Sequence, residues 1–394
     1  MENSNIQPVK PKERTTIVDV LRGWALLGVV IGNYVDYFQV GRPVKHAPDK
    51  VSDVLALINQ YFFAAKSWTL LSVLFGYGFA ILMNNIAQKG KNPILFFSRR
   101  MFWLFVIAFI NSAFWFGDIL KDYAFLGLVL LLFYQSSAKT AFRTGIVLLL
   151  AAPFIGAYLA LFHTYDHQKE MEKILPLFYS HNWIDIFVMN LKGTYSLEMI
   201  NPQYAITVHI IMFACMLFGF TAQRLNIFER LTEFKRQLKT LFWVCLTFAL
   251  LFNIAFKIPL VHGLAIWKFF KPGYWVVLST MFSIMSGICL LYINGKLKSV
   301  FNGLQFMGKM TLTNYMVQNV IATLLFLNVG LGLFNTMPYW FYVLMAVVIF
   351  ITQIFISKWW LIHFNYGPVE WIWRQLSYGK RLPIKKVKGL NIKE

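Results

Sequence analysis

Long apolar runs alternate along this chain with short polar and basic clusters, and the runs have the length of helices rather than strands. Crossing the hydrocarbon layer of a bilayer takes about 20 helical residues. Runs of that order lie near 17–38, 54–85, 95–114, 115–134, 141–163, 203–223, 239–258, 274–295, 306–329 and 338–358. The pattern predicts an all-α, polytopic bundle of about ten transmembrane helices. Segment 54–85 is overlong for one crossing and is expected to break or re-enter around Lys66, and 95–134 reverses tightly at Gly117-Asp118. Two further helices are expected to lie along the membrane surface. In 224–240, Leu225, Phe228, Leu231, Phe234 and Leu238 recur at helical spacing; 367–378 opens Gly-Pro-Val-Glu, with Glu370 and Arg374 one turn apart.

Composition agrees with the pattern. Of 394 residues, 58% are hydrophobic and only 14% charged, against roughly 25% charged in a soluble domain. Collagen-like, disordered and disulfide-stapled classes are excluded, and Cys215, Cys245 and Cys289 lie within apolar runs as buried thiols. The formal charge of +20 is spread over the ends of the apolar segments instead of one face, so it reads as topogenic and not as a nucleic-acid surface. Basic residues recur in alternate connections: Lys89 to Arg100, Lys139 and Arg143, Arg224 to Lys239, Lys296 and Lys298, and the tail from Lys380. Those parts are predicted to be cytoplasmic, together with the basic N-tail 1–16, the segment 224–240 and the C-terminal part 361–394. The bundle spans 17–360, and loop 164–202 faces outward. The first apolar run lacks a small-residue cleavage site and is expected to remain as an anchor.

Charged side chains inside a spanning helix cost on the order of 2.5–3.5 kcal/mol each, so they are functional candidates by default. Asp19, Arg22 and Asn33 share a broad face of the first helix at about 100° per residue; Asp19 and Arg22 also suit a local ion pair. His46 follows in the run Lys45-His46-Ala47, where an imidazole could take a proton from an attacking hydroxyl or amine. Asp118 sits between two apolar runs with almost no loop to solvate it, and could equally cap the next helix. Lys66, His209, Lys309, Thr311, Thr313, Asn314 and Gln318 are further polar groups at membrane depth; helix–helix hydrogen bonding is the plainer account of the amides and hydroxyls. No Walker loop, HExxH or paired-cysteine metal spacing occurs, so no metal is expected, and Gly76-Tyr77-Gly78 reads as close helix packing.

These residues carry a resemblance. Asp19-Val20-Leu21-Arg22-Gly23-Trp24 ending in Asn33, Leu74-Phe75-Gly76-Tyr77-Gly78, Gly117-Asp118-Ile119-Leu120, Gly308-Lys309-Met310-Thr311-Leu312-Thr313-Asn314-Tyr315 and Tyr366-Gly367-Pro368-Val369-Glu370-Trp371 resemble the YeiB-like bacterial membrane proteins, domain of unknown function 418. That family is similar to a wider group of transmembrane acyltransferases that includes heparan-alpha-glucosaminide N-acetyltransferase. The group's Asp-x-x-Arg-Gly start, its Asn fourteen residues after the Asp and its Lys-His-Ala run are matched by Asp19, Arg22, Gly23, Asn33 and Lys45-His46-Ala47. Where relatives often carry a histidine shortly before Gly-Asp-Ile-Leu, this chain has Asn111.

The resemblance implies an acyltransferase of the bacterial cytoplasmic membrane. It would move an acyl group, acetyl in the first instance, from cytoplasmic acyl-CoA to a hydroxyl or amine of an extracytoplasmic glycan or glycolipid. On that reading His46 is general base or transient acyl carrier, Asn33 an oxyanion donor and Asp19 or Asp118 an orienting carboxylate, with Arg22, Lys66, Lys309, Asn314 and Gln318 toward the donor. Membrane lipids and the saccharide acceptor are the expected partners, nucleic acid is not, and homodimerisation stays open. The alternative is a transporter or exporter whose polar residues line a substrate or proton path.

Overall fold

The computed structural model describes residues 15–39, 49–163 and 165–386. Helix follows helix in chain order: α1 (Thr16–Gln39), α2 (Lys50–Ile58), α3 (Lys66–Gln88), α4 (Pro93–Ser112), α5 (Leu120–Leu130), α6 (Ala138–Phe162), α7 (His167–Ile174), α8 (Trp183–Gly193), α9 (His209–Arg224), α10 (Lys235–Phe256), α11 (Pro259–His262), α12 (Gly273–Ile293), α13 (Lys298–Lys309), α14 (Thr311–Phe326), α15 (Tyr339–His363) and α16 (Pro368–Tyr378). Among the described residues, eight helices or helix pairs are long and apolar enough to cross a membrane. The other two expected crossings, 115–134 and 306–329, are present as the shorter α5 and α14. The chain is therefore an all-helical, multi-pass bundle.

Three departures from simple crossings shape the interior. α2 runs into a π turn at Asn59–Phe63 and then a left-handed Ala65 (φ 62°), so α3 restarts at Lys66, where the overlong run was expected to break. The tight reversal after α4 occupies 113–119 and delays α5 to Leu120. Met310 interrupts the path from α13 to α14. The expected amphipathic helix over 224–240 does not form as one element: residues 225–234 make successive turns after Asn226 enters the left-handed region (φ 52°), and α10 begins at Lys235. Phe228 and Leu231 are buried there, so burial of these side chains overrides the helical spacing.

α1 lies at the centre, packed by α3, α13, α14 and α15. Its backbone closes on α13, where a Cβ on Gly308 would lie 1.8 Å from the Asp19 carbonyl O. The Gly76 region packs as its glycines suggest: a Cβ there would meet the Met216 carbonyl of α9 at 1.9 Å, so α3 and α9 can approach only without a side chain. Tyr34, Tyr37, Phe326, Phe334 and Tyr342 fill the far end of the core.

The bundle thus has two ends. The basic end gathers the starts of α1, α4 and α14 with α16. Here Glu370 of α16 accepts from the Leu312 and Thr313 amides and from the Thr313 hydroxyl, capping α14, while Arg374 stands over Tyr366 instead of pairing with Glu370. Burial pushes the Glu370 carboxyl above its ordinary range, against the pull of those hydrogen bonds. At the opposite end, residues 165–202 of the segment expected to face outward fold as a roof of α7, α8 and short turns. Asn190 grips the Ala113 carbonyl and the Phe116 amide, and Thr194 donates to the Phe116 carbonyl, so the roof is pinned to the reversal at 113–119.

Candidate functional site

Beneath that roof the reversal delivers Asp118 into the core with no exposed surface. One carboxylate oxygen accepts from Asn111 Nδ2 at 3.0 Å and from the Leu120 amide at 3.2 Å, so Asp118 both caps α5 and anchors a polar chain. Asn111 Oδ1 accepts from Asn319 of α14 at 3.3 Å, and Asn319 Oδ1 accepts from Asn33 of α1 at 3.4 Å. Tyr315, one turn below Asn319, turns its hydroxyl toward Asp118. Asn33 and Asp118, remote in sequence, therefore belong to one network.

The network continues through Lys121. Its ammonium donates to the Asp118 carbonyl at 2.6 Å, binds Glu198 of the roof and lies 3.7 Å from Asp122. Asp122 in turn accepts from the Tyr204 hydroxyl at 2.7 Å and stands 3.2 Å from His209 Nε2. His209 Nδ1 faces the Ala205 carbonyl at 2.8 Å. Both ring nitrogens thus point at acceptors, and a proton beyond the neutral imidazole's one must sit on His209 or on Asp122. Three carboxylates, Asp118, Asp122 and Glu198, share one lysine and one histidine. Burial pushes the Glu198 carboxyl up to about 8; Lys121 opposes the rise and Asp122 and Asp118 add to it.

Asp19 is elsewhere. Fourteen residues of α1 separate it from Asn33, about 21 Å along the axis, and at the basic end it forms a 2.9 Å ion pair with Arg22 while its second oxygen is buried and accepts no hydrogen bond. Of the two expected orienting carboxylates, Asp118 shares the hydrogen-bonded network with Asn33, and Asp19 lies at another depth of α1. Tyr77 and Glu229 bond to each other nearby. Of the expected donor-binding residues, Lys309 lies at this end with its ammonium over the Phe306 ring, Asn314 donates to Ser357 at 2.9 Å, and Gln318 donates to Gln353 at 2.7 Å. Lys66 does not join them. A Cβ on Gly78 would lie 3.6 Å from Arg22 Nη2, and Lys66 sits twelve residues earlier on α3, about 18 Å away. His46 lies outside the described residues, in the connection from α1 to α2.

Sequence inspection missed Asn319, Asp122, Glu198, Tyr204 and Tyr315 as site members. Asp122 was visible beside Lys121, and Asn319 follows Gln318 in an apolar run; Glu198 and Tyr204 carried no signal, because the roof and the turn after it bring them in from 77 and 82 residues away. Among the described residues no group of three His, Cys, Asp or Glu side chains is placed to hold a metal ion.

Residues 222–380 match the family model described as a protein of unknown function, DUF418. The resemblance to the YeiB-like proteins extends beyond that segment, as relatives align along most of the chain. The chain is 28% identical to the uncharacterised protein YeiB of Escherichia coli (strain K12) over 93% of its own length and 96% of that relative. It is 27% identical to the uncharacterised protein YxaH of Bacillus subtilis (strain 168), with 97% and 99% covered. An uncharacterised 39.9 kDa protein of Bacillus acidopullulyticus, from an amylase 3' region, is also 27% identical, with 96% and 98% covered. The DUF418 match covers α10 to α16 and so includes Asn314, Gln318, Asn319 and the Glu370 cap, while Asp118 and Asn33 precede it.

Proposed function

We propose that this protein is a membrane acyltransferase, taking an acyl group, acetyl in the first instance, from acyl-CoA at the basic end and delivering it to a hydroxyl or amine of a glycan or glycolipid at the roofed end. The basic end is then cytoplasmic, in a bacterial cytoplasmic membrane. The observation that carries the reading is the buried relay Asn33–Asn319–Asn111–Asp118–Lys121–Asp122–His209, a proton-holding, hydrogen-bonded interior within a bundle whose other end is rich in cations. Charged groups at this depth in a membrane protein are functional candidates by default. In the transfer the acceptor hydroxyl gives its proton to an imidazole and its oxygen attacks the thioester carbonyl. The C–S bond breaks, and the departing CoA sulfur takes up a proton. His46, carried between α1 and α2, and His209, already coupled to Asp122, are the two imidazoles for the base, and Asn33 supplies an amide donor for the oxyanion. Arg22 and Lys309 supply cations for the CoA phosphates.

The test is binding of acetyl-CoA, against free CoA and a dephosphorylated analogue, to the full chain in lipid nanodiscs by calorimetry, followed by capture of labelled acetyl on protein or lipid. Saturable binding weakened by Arg22→Ala, with acetyl capture abolished by His46→Ala or His209→Ala, supports the reading. Absence of binding to folded protein overturns it. A proton-coupled transporter is the second reading, favoured by the excess of carboxylates around Lys121 and His209, which fits a site that gains and loses one proton.

A further inference from the structure

A cavity of about 580 Å³ is bounded by the α2–α3 break, the end of α10 and the start of α12. Its wall is aromatic and aliphatic, with Phe252, Phe256, Trp267 and Val276 prominent. Two cations, Lys66 and Lys271, belong to the lining, and no carboxylate does. Lys66 is only 7% exposed, and one of its three donors goes to the Gln60 carbonyl. An ammonium at this depth is costly without a counter-charge. The backbone that places it is also irregular: the π turn and the left-handed Ala65 are features that concentrate at functional sites.

We infer that this cavity binds an anionic, phosphate-bearing lipid. The head group would supply the counter-charge that Lys66 and Lys271 lack, and the hydrocarbon chain would lie along the Phe252, Phe256 and Val276 wall. A soluble anion would leave that wall unused, and a neutral lipid would leave Lys66 unpaired, so charge and shape select the same occupant. The cavity adjoins the polar relay: Tyr123, next to Asp122, donates to the carbonyl of Trp68, two residues after Lys66. If the acyl-transfer reading holds, the lipid bound here is the acceptor or its carrier; the binding itself does not depend on that reading.

Native mass spectrometry of the full chain released from phosphatidylcholine nanodiscs doped with phosphatidylglycerol tests this. The wild type is expected to retain one phosphatidylglycerol selectively. Lys66→Gln should weaken that retention by about tenfold, the scale of one charge-assisted contact, and Lys66→Arg should restore it. Val276→Trp, which fills the cavity and leaves both lysines, should also abolish retention, so the result does not hang on the folding of one variant. Equal retention of phosphatidylcholine, unchanged retention in both Lys66→Gln and Val276→Trp, or full competition by soluble glycerol phosphate would overturn the inference. Acetyl-CoA binding measured on the same samples separates the outcomes, since lipid selectivity without acetyl-CoA binding defeats only the acyltransferase reading.

Discussion

Two buried lysines sit two residues before the partners of a single hydrogen bond, Lys121 before Tyr123 and Lys66 before Trp68, yet the protein treats them oppositely. Lys121 is surrounded by the protein's own carboxylates, Glu198 and Asp122, and by the Asp118 carbonyl. Lys66 meets a carbonyl and a carboxylate-free cavity. Carboxyl groups of the chain gathered on one ammonium lock elements together, here the roof to α5; a buried cation that meets a carbonyl but, among the described residues, no carboxylate is completed from outside the chain. The first lysine is thus a structural keystone, and the second a point of recognition.

Breaking the Lys121 side of this comparison should have the largest effect. Lys121→Met strands Glu198 and Asp122, and is expected to lower stability by about 3–5 kcal/mol, read as a lower midpoint in thermal or denaturant unfolding in detergent. Next comes Asn111→Leu, which keeps the volume but removes the donor to Asp118 and the acceptor for Asn319. A cost of about 2 kcal/mol is expected, with stability near that of the wild type showing that the relay is dispensable to the fold.

The pH response sharpens the comparison further. Glu198 is raised above its unfolded value, so the folded state holds its proton more tightly; the stabilisation is fully present at acidic pH and is lost as pH climbs through about 8. Unfolding midpoints should therefore fall between about pH 5 and 8 in the wild type, level off above that, and stay flatter in Glu198→Gln, whose amide imitates the protonated acid. Parallel curves would place the proton elsewhere in the cluster. The smallest effect belongs to Lys66→Met. Removing a cation that has no carboxylate partner among the described residues should change stability in lipid-free detergent by less than about 1 kcal/mol, in either direction. A loss as large as that of Lys121→Met would erase the distinction between the two lysines.

Much of the architecture was legible because bilayer thickness imposes a length on every crossing. The break before Lys66, the reversal at Gly117-Asp118 and α16 all follow from local sequence: an overlong run, a glycine beside an acid, a proline at the first turn. Segment 224–240 misled because helical spacing describes a face without saying whether tertiary burial lets the helix form, and Phe228 and Leu231 are buried in turns. Within the site, Asn33 and Asp118 were legible as polar residues that lipid would not tolerate. Asp19 satisfied the same criterion and lies about 21 Å from Asn33, since intolerance of lipid says that a residue faces inward but not at which depth or beside what.

The sequence by itself determined that this chain is a helical membrane bundle, roughly where its crossings lie, and which polar side chains must be hidden from lipid, because hydropathy and helix length are local properties of a chain in a bilayer. Only the tertiary structure decided which hidden groups meet. Glu198 reaches Lys121 and Tyr204 reaches Asp122 across about eighty intervening residues, and no local pattern encodes that pairing. The same holds for Lys66, around which no carboxylate lies among the described residues lining the cavity: charge compensation is a matter of distance in space, and the chain's order along its length does not set it.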